Sequence, residues 1–167
     1  MTNLFTLQPM QSSHWPQVAQ IYQLGLDTGL ASFETQCPDW EGWHESHLRH
    51  SRWVAVQDKT VGGWAALSQV SKRAVYQGVA EVSIYIHPDY RGFGLGQKLM
   101  RQLISSSEQE GIWTLQASIF PENIASLRLH EKTGFSLLGK RHKIARHRGR
   151  WRDTLILERR SELPQFR

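Results

Sequence analysis

Glycine occupies every second position in one short segment, Arg91 to Gly96. Glycines at alternate positions remove side chains from a turn, so that successive backbone N–H groups can converge on an anion. An amphipathic helix is predicted to begin in the same segment, and its unpaired N–H groups and dipole favour the same ligand. The predicted phosphate or pyrophosphate site consists of Arg91, Gly92, Phe93, Gly94, Leu95 and Gly96.

Two common nucleotide-binding motifs do not fit this spacing. A P-loop needs four residues between its glycines and then Gly-Lys-Ser or Gly-Lys-Thr, whereas Gly96 is followed by Gln97 and Lys98. A dinucleotide fingerprint needs G-x-G-x-x-G, and the spacing here is G-x-G-x-G. The alternative without a ligand is a glycine turn in which Gly94 and Gly96 only allow a strand and a helix to pack closely.

A strand predicted just before the glycine segment, at about Glu81 to Ile86, has one apolar and one polar face. Successive side chains of a strand point to opposite faces. The apolar face consists of Val82, Ile84 and Ile86, and the polar face of Glu81, Ser83 and Tyr85. The polar face therefore places a carboxylate, a hydroxyl and a phenol on one candidate working surface.

The composition is that of an ordinary globular domain, and we expect one domain over residues 1–167. The chain is 40% hydrophobic and 21% charged, so it can form a core. One cysteine, Cys37, excludes an intrachain disulfide and a thiolate zinc site, and the histidines lack His-Glu-x-x-His spacing, so no metal is expected. Without a membrane-length apolar run or a signal-peptide pattern, we expect a cytoplasmic protein and no membrane partner.

The formal net charge is +5, and much of it lies between Lys140 and Arg152. The simplest interpretation is a solvated strand face, and the alternative is a basic rim that attracts an anionic small molecule. Nucleic acid is not an expected partner, because no helix-turn-helix or RNA-binding signature accompanies the charge.

The pattern of apolar residues predicts a mixed α/β sheet. In chain order it indicates a strand at 4–7, a helix around 18–26, a helix capped by Asp39 and ending near His50, a hairpin at 53–67, the strand at 81–86, a helix from Leu95 to near Gly111, a strand at 114–119, a helix at about 123–132, and closing strands near 135–145 and 152–158. Several strands precede the first central helix, so the sheet is not a strictly alternating parallel one.

The glycine segment and its surroundings resemble the GCN5-related N-acetyltransferases, the GNAT superfamily. Arg91, Gly94 and Gly96 match that family's acetyl-CoA loop, Gln/Arg-x-x-Gly-x-Gly/Ala, and residues 84–88 resemble the strand and turn before it. Residues 123–135 look like the family's second cofactor-side helix. The resemblance implies a twisted, mostly antiparallel mixed sheet of about six to seven strands with about four helices, acetyl-CoA as co-substrate and a homodimer.

Three further segments look like the phosphinothricin and methionine sulfoximine acetyltransferases. They are Ala31 to Thr35, Arg73 with Tyr76 ahead of the strand at Glu81, and Gly149 to Asp153. Those enzymes acetylate the α-amino group of compact glutamate-like amino acids, so the resemblance implies that activity here.

Acetyl transfer to an amine needs a neutral amine, a polarised thioester carbonyl and a protonated leaving sulfur. Glu81 is placed to take the proton from the amine. The resemblance implies that a backbone N–H within Ile84-Tyr85-Ile86 polarises the carbonyl, and that His130 protonates the sulfur or replaces Glu81 as the base. Asn123 is expected to cap its helix and, by resemblance, to contact the pantetheine arm together with Ser126.

An amino-acid substrate also needs a partner for its carboxylate. Arg73 is the best candidate, because a guanidinium binds a carboxylate through two parallel hydrogen bonds. Phe33, Tyr76 and Trp151 could form the wall of a side-chain pocket or pack in the core, and Glu34 lies in the motif around Phe33.

Two other functions remain open on the sequence alone. One is acetylation of another amine, such as a protein N-terminus or an antibiotic. The other is a CoA-binding module without catalysis, against which the titratable residues Glu81 and His130 argue. Nothing indicates Cys37 as an acyl-enzyme nucleophile, so we expect direct transfer.

Overall fold

The computed structural model describes residues 4–167. Seven strands form one sheet: β1 (Thr6–Pro9), β2 (Trp53–Gln57), β3 (Thr60–Gln69), β4 (Val79–Ile86), β5 (Thr114–Ile119), β6 (Ser136–His147) and β7 (Arg150–Arg160). Four α-helices accompany them: α1 (Trp15–Asp27), α2 (Trp40–Ser46), α3 (Leu95–Gln109) and α4 (Ile124–Lys132). The predicted mixed, mostly antiparallel sheet with about four helices is confirmed.

The strand order across the sheet is β1-β2-β3-β4-β5-β7-β6. The pairs β1/β2, β2/β3, β3/β4, β5/β7 and β6/β7 are antiparallel, whereas β4 and β5 are parallel. The β6–β7 hairpin turns at Arg148 and Gly149, which both have positive φ, as the two central residues of a tight hairpin turn require.

Helices cover both faces of the sheet. Leu99 and Leu103 of α3 pack with Leu115 and Leu157 on one face, where α4 also lies. Val18 and Ile21 of α1 and Trp43 of α2 pack with Val54 and Trp64 on the other. Alternate residues of β2 and β3 therefore enter two separate apolar clusters, as strand geometry demands.

The second helix ends earlier than predicted. Asp39 caps α2 as expected, its Oδ1 accepting from the Gly42 N–H at 2.8 Å. However, α2 stops at Ser46, because His47 has extended backbone and its Nδ1 pairs with the Trp43 carbonyl. The guanidinium of Arg52 then binds the carbonyl oxygens of the following residues.

In the part of the chain that the structure describes, the central strands β4 and β5 are paired at only three successive positions, which we call rungs. Pairing joins Val79 to Thr114, Ala80 to Leu115 and Glu81 to Gln116, and within residues 4–167 none joins the rest of β4 to β5. Both strands continue, so a gap opens between them beyond Glu81. This gap exposes main-chain groups in the middle of the sheet.

None of the helices within residues 4–167 is long and apolar enough to cross a membrane. The same residues contain no group of three or more His, Cys, Asp or Glu side chains placed to hold a metal ion.

Candidate active site

The free amides of β4 point into the gap. The His87 N–H donates to the Gly62 carbonyl of β3 at 2.9 Å, and the Gly78 carbonyl accepts from Trp113 on the β5 side at 2.8 Å. Because main-chain direction alternates along a strand, the N–H groups of Ile84 and Ile86 face β5. They are free to polarise a carbonyl oxygen held in the gap, whereas the Tyr85 amide pairs with Trp64 of β3.

Glu81 stands at the last paired rung, where the gap begins. Its side chain hydrogen-bonds the side chain of Gln116, its rung partner on β5. Burial raises the pKa of Glu81, and the Gln116 hydrogen bond and the charge of Arg141 oppose that rise. A partly buried carboxyl with a raised pKa, beside an open gap, is suited to accept a proton.

The glycine segment lies at the end of β4 and presents an open cradle. Gly92 and Gly94 have φ of +82° and +78°, and a Cβ at either position would meet nothing within 4 Å among the described residues. Gly94 is the N-cap of α3, and the first helical bond runs from the Lys98 N–H to its carbonyl at 3.1 Å. The amides of the first turn are therefore available to an anion.

The other members of the segment have different roles. The Leu95 side chain is 2% exposed in the core, so only its amide can face a ligand. A Cβ on Gly96 would come within 3.3 Å of Leu129, so this glycine serves the close approach of α3 to α4. The packing interpretation thus fits Gly96, and the anion interpretation fits Gly94. A cleft of about 430 Å³ beside Gly94 is also lined by Lys98 and Arg101.

Three predicted residues meet at the start of α4. Asn123 caps the helix, as expected: its Oδ1 accepts from the Ser126 N–H at 3.2 Å. The Ser126 carbonyl is 2.7 Å from Nδ1 of His130, so that nitrogen carries the proton of the neutral ring.

His130 is 2% exposed, and its Nε2 has no hydrogen-bond partner within residues 4–167. Burial lowers the pKa of His130. Its ring packs edge-on against Phe135 at 4.9 Å, on the sheet face of α3 and α4. Glu81 lies on the opposite face, so the two titratable residues lie on different sides of the sheet.

The predicted substrate residues come from two separate segments. Arg73 and Tyr76 lie between β3 and β4, with the guanidinium 5.4 Å from the centre of the tyrosine ring and Tyr76 44% exposed. Phe33 and Glu34 lie between α1 and α2, where Phe33 packs edge-on against Phe120 at 5.0 Å. Trp151 is 58% exposed, which excludes core packing for it.

Sequence reasoning missed two residues beside the polar face of β4. The Tyr22 ring lies 4.8 Å from the Tyr85 ring, and burial, with the nearby Glu34, raises the pKa of Tyr22 to about 12. In the sequence, Tyr22 has the helical spacing of a core residue, and this spacing does not indicate that its ring lies beside Tyr85. Cys37 also lies within electrostatic reach of Tyr85, but burial raises the pKa of its thiol to about 11, which disfavours a nucleophilic thiolate.

Known proteins are similar to this chain in sequence and in fold. The chain is 32% identical to the phosphinothricin N-acetyltransferase of Alcaligenes faecalis, over 92% of this chain and 81% of that one. It is 30% identical to the L-methionine sulfoximine/L-methionine sulfone acetyltransferase of Salmonella typhimurium, over 70% and 69%. The solved phosphinothricin acetyltransferase of Sinorhizobium meliloti in complex with AcCoA superimposes with a TM-score of 0.85 at 27% identity, covering 94% of this chain and 88% of that one.

The sequence profile of the Acetyltransferase (GNAT) family matches residues 15–135, which include α1, the gap strands, the glycine segment and α4. The chain belongs to the acetyltransferase (GNAT) family.

Proposed function

We propose that the chain is an acetyl-CoA-dependent N-acetyltransferase that acetylates the α-amino group of a small amino acid or analogue of the phosphinothricin, methionine sulfoximine or methionine sulfone type. Family membership and relatives that carry these substrates in their names support the proposal. The cradle at Gly92 and Gly94 fits acetyl-CoA, since it offers open space and free amides to a pyrophosphate. The observation that carries the proposal is Glu81, a carboxyl with a raised pKa at the mouth of the gap.

In the proposed reaction, the steps are divided between the two faces of the sheet. On the α1/α2 face, Glu81 takes a proton from the substrate ammonium, directly or through water, and frees the nitrogen lone pair for attack on the thioester carbonyl. In the gap, the amides of Ile84 and Ile86 stabilise the negative charge that develops on the carbonyl oxygen. The nitrogen–carbon bond forms, the carbon–sulfur bond breaks, and the sulfur takes up a proton that the amine nitrogen has released.

His130 is the predicted proton donor to the leaving sulfur. Its position on the α3/α4 face separates it from the base and supports distinct roles. Because Nδ1–H is committed to the Ser126 carbonyl, Nε2 must take up the second proton, which the nitrogen loses after its attack, before it can pass a proton to the sulfur. Burial lowers the pKa of His130, which favours release of that proton to the sulfur.

Replacing His130 by Phe should lower kcat by about 10-fold to 100-fold, because it removes Nε2 and keeps the packing against Phe135. The loss should persist as pH rises, since more neutral amine does not protonate the sulfur. His130→Tyr differs from His130→Phe by one hydroxyl and should recover most of the rate. Equal kcat in the two variants would assign the proton transfer to water.

Replacing Arg73 by Ala should raise the KM for amino acids by about 10-fold to 150-fold, through loss of roughly 1.5 to 3 kcal/mol of charge-assisted hydrogen bonding to the carboxylate. The KM for the decarboxylated amine of the same substrate should not change. Lys72→Ala removes the same charge one position earlier and is the matched control. Equal losses for the amino acid and the amine would contradict the assignment.

The experiment that tests the function is a thiol-release assay with acetyl-CoA and a panel of amines. Phosphinothricin, methionine sulfoximine and methionine sulfone should react, and their decarboxylated amines should react poorly. Release only with a peptide N-terminus or an aminoglycoside would instead make the chain an acetyltransferase for those amines. Binding of acetyl-CoA without release on any amine would leave a CoA-binding module. A homodimer and a cytoplasmic location stay predictions.

A further inference from the structure

The segment between α1 and α2, residues 28–39, carries Phe33 and Glu34 and is called the substrate loop below. The carbonyl oxygens of Gly29 and Leu30, near the start of this loop, lie outside helix and strand. Each accepts a hydrogen bond from a side chain more than 90 positions later in the sequence. The Gly29 carbonyl accepts from Arg152 at 2.7 Å, and the Leu30 carbonyl accepts from Asn123 Nδ2 at 3.0 Å.

Contacts with three neighbouring side chains hold the guanidinium of Arg152 in place beside the Gly29 carbonyl. Its guanidinium lies 3.6 Å from the centre of the Phe120 ring, and its Nη2 is 3.3 Å from a carboxylate oxygen of Glu122. Nη1 also donates to Nδ1 of His147 at 3.2 Å. The side chain is only 15% exposed, so its orientation is fixed before any ligand binds.

The substrate loop and Arg152 both contact the aromatic ring of Phe120. Phe33 packs edge-on against Phe120, the same ring on which Arg152 lies. Further along the loop, Glu34 is close enough to raise the pKa of Tyr22 of α1 and of Tyr85 on the working face of β4. The loop start therefore helps to set where Phe33 and Glu34 stand, together with Gln23 of α1, whose side chain binds the Thr35 carbonyl and the Cys37 N–H at 3.2 and 2.8 Å.

A second arginine holds the end of the preceding helix. Nη2 of Arg148 donates to the carbonyls of Leu26 and Asp27 at 3.2 and 3.3 Å at the end of α1, where the Leu26 carbonyl also accepts from the Gly29 N–H at 3.0 Å. Arg148 is exposed, whereas Arg152 is enclosed by the Phe120 ring, the Glu122 carboxylate and His147. Arg152 is thus the stronger of the two anchors.

We propose that Arg152 is a positioning residue for substrate specificity: it fixes the substrate loop through the Gly29 carbonyl, so that Phe33 and Glu34 are preorganised at the amino-acid side of the gap. This rests on the proposed function for its kinetic consequence, but not for its structural one. A loop ordered in advance loses less entropy when the substrate binds.

The test compares Arg152→Gln, Arg152→Lys and a control, Arg150→Gln, which makes the same charge change two positions earlier on β7. Arg152→Gln should raise the KM for the amino acid by about 10-fold, with kcat within about 3-fold and an unchanged Kd for acetyl-CoA. Hydrogen exchange of residues 28–36 without ligands should be about 5-fold or more faster. Arg152→Lys should recover part of both effects, since one ammonium can reach the carbonyl but cannot lie flat on Phe120.

Unchanged hydrogen exchange in the loop of Arg152→Gln would overturn the proposal. Equal increases in the KM for the amino acid and the Kd for acetyl-CoA would also overturn it, by showing a general loss of structure. If the wild-type chain acetylates no amino acid, the proposed function fails, while the exchange experiment still decides whether Arg152 fixes the loop.

Discussion

Glu81→Gln is expected to lower kcat near pH 7 by about 10² to 10⁴, the range that a positioned general base contributes. The substitution keeps the size of the side chain and its ability to hydrogen-bond Gln116, so the last rung between β4 and β5 should remain intact. What is lost is the acceptor for the proton of the substrate ammonium. Measurement of kcat with saturating acetyl-CoA and amino acid gives the size of the effect.

The pH dependence of this variant separates chemistry from structure. Burial raises the pKa of Glu81, so in the wild-type enzyme the carboxylate forms, and activity rises, at a higher pH than for an exposed glutamate. In Glu81→Gln, the part of the pH profile in which activity rises as Glu81 ionises should be absent. The deficit in kcat of Glu81→Gln relative to wild type should also shrink as the pH approaches the pKa of the substrate amine, because more of the substrate is then already neutral in solution.

The matched control for this prediction is Glu158→Gln. Glu158 faces Gln116 across the β5–β7 pair, so the same chemical change is made one strand farther from the gap. Its kcat should stay within about 3-fold of wild type. If Glu81→Gln has wild-type kcat at pH 7, or a deficit that does not vary with pH, the carboxylate is structural and His130 or water takes the proton.

Local patterns predicted the parts of the site that lie close together in sequence. The alternation from Glu81 to Ile86 assigned the two faces of β4, and the glycines of residues 92–96 placed the cradle at its end. Asn123 was identified as a cap because capping depends on groups within one helical turn. Each of these features is decided within a few residues of the chain.

Contacts between distant segments could not be predicted from the sequence. The gap exists because β5 pairs with only the first three residues of β4, and no composition rule fixes how far two parallel strands stay paired. Arg152 lay in a basic stretch interpreted as a solvated face or a rim for an anion, yet it binds a carbonyl 123 residues earlier. The contact between Tyr22 and Tyr85 could not be predicted for the same reason, because core residues and site residues of a helix share the same spacing in the sequence.

The second large effect is expected at the cradle. Gly94→Val should weaken acetyl-CoA binding by about 10²-fold to 10³-fold, equivalent to losing two charge-assisted hydrogen bonds, about 3 to 4 kcal/mol. Two causes act together. The backbone of Gly94 has a φ of +78°, which a β-branched residue resists, and the new side chain would enter the open space in which the pyrophosphate meets the first amides of α3. Calorimetric titration with acetyl-CoA measures the change.

Gly111→Val separates these two causes. Gly111 has a φ of +86°, and a Cβ there also meets nothing within 4 Å among the described residues, but it lies past the C-terminal end of α3, away from the cradle. Both variants should lose about 1 to 2 kcal/mol of stability from the strained backbone. Only Gly94→Val should lose acetyl-CoA affinity. A folded Gly94→Val protein that binds acetyl-CoA like wild type, or two variants that weaken binding equally, would remove the glycine segment from the cofactor site.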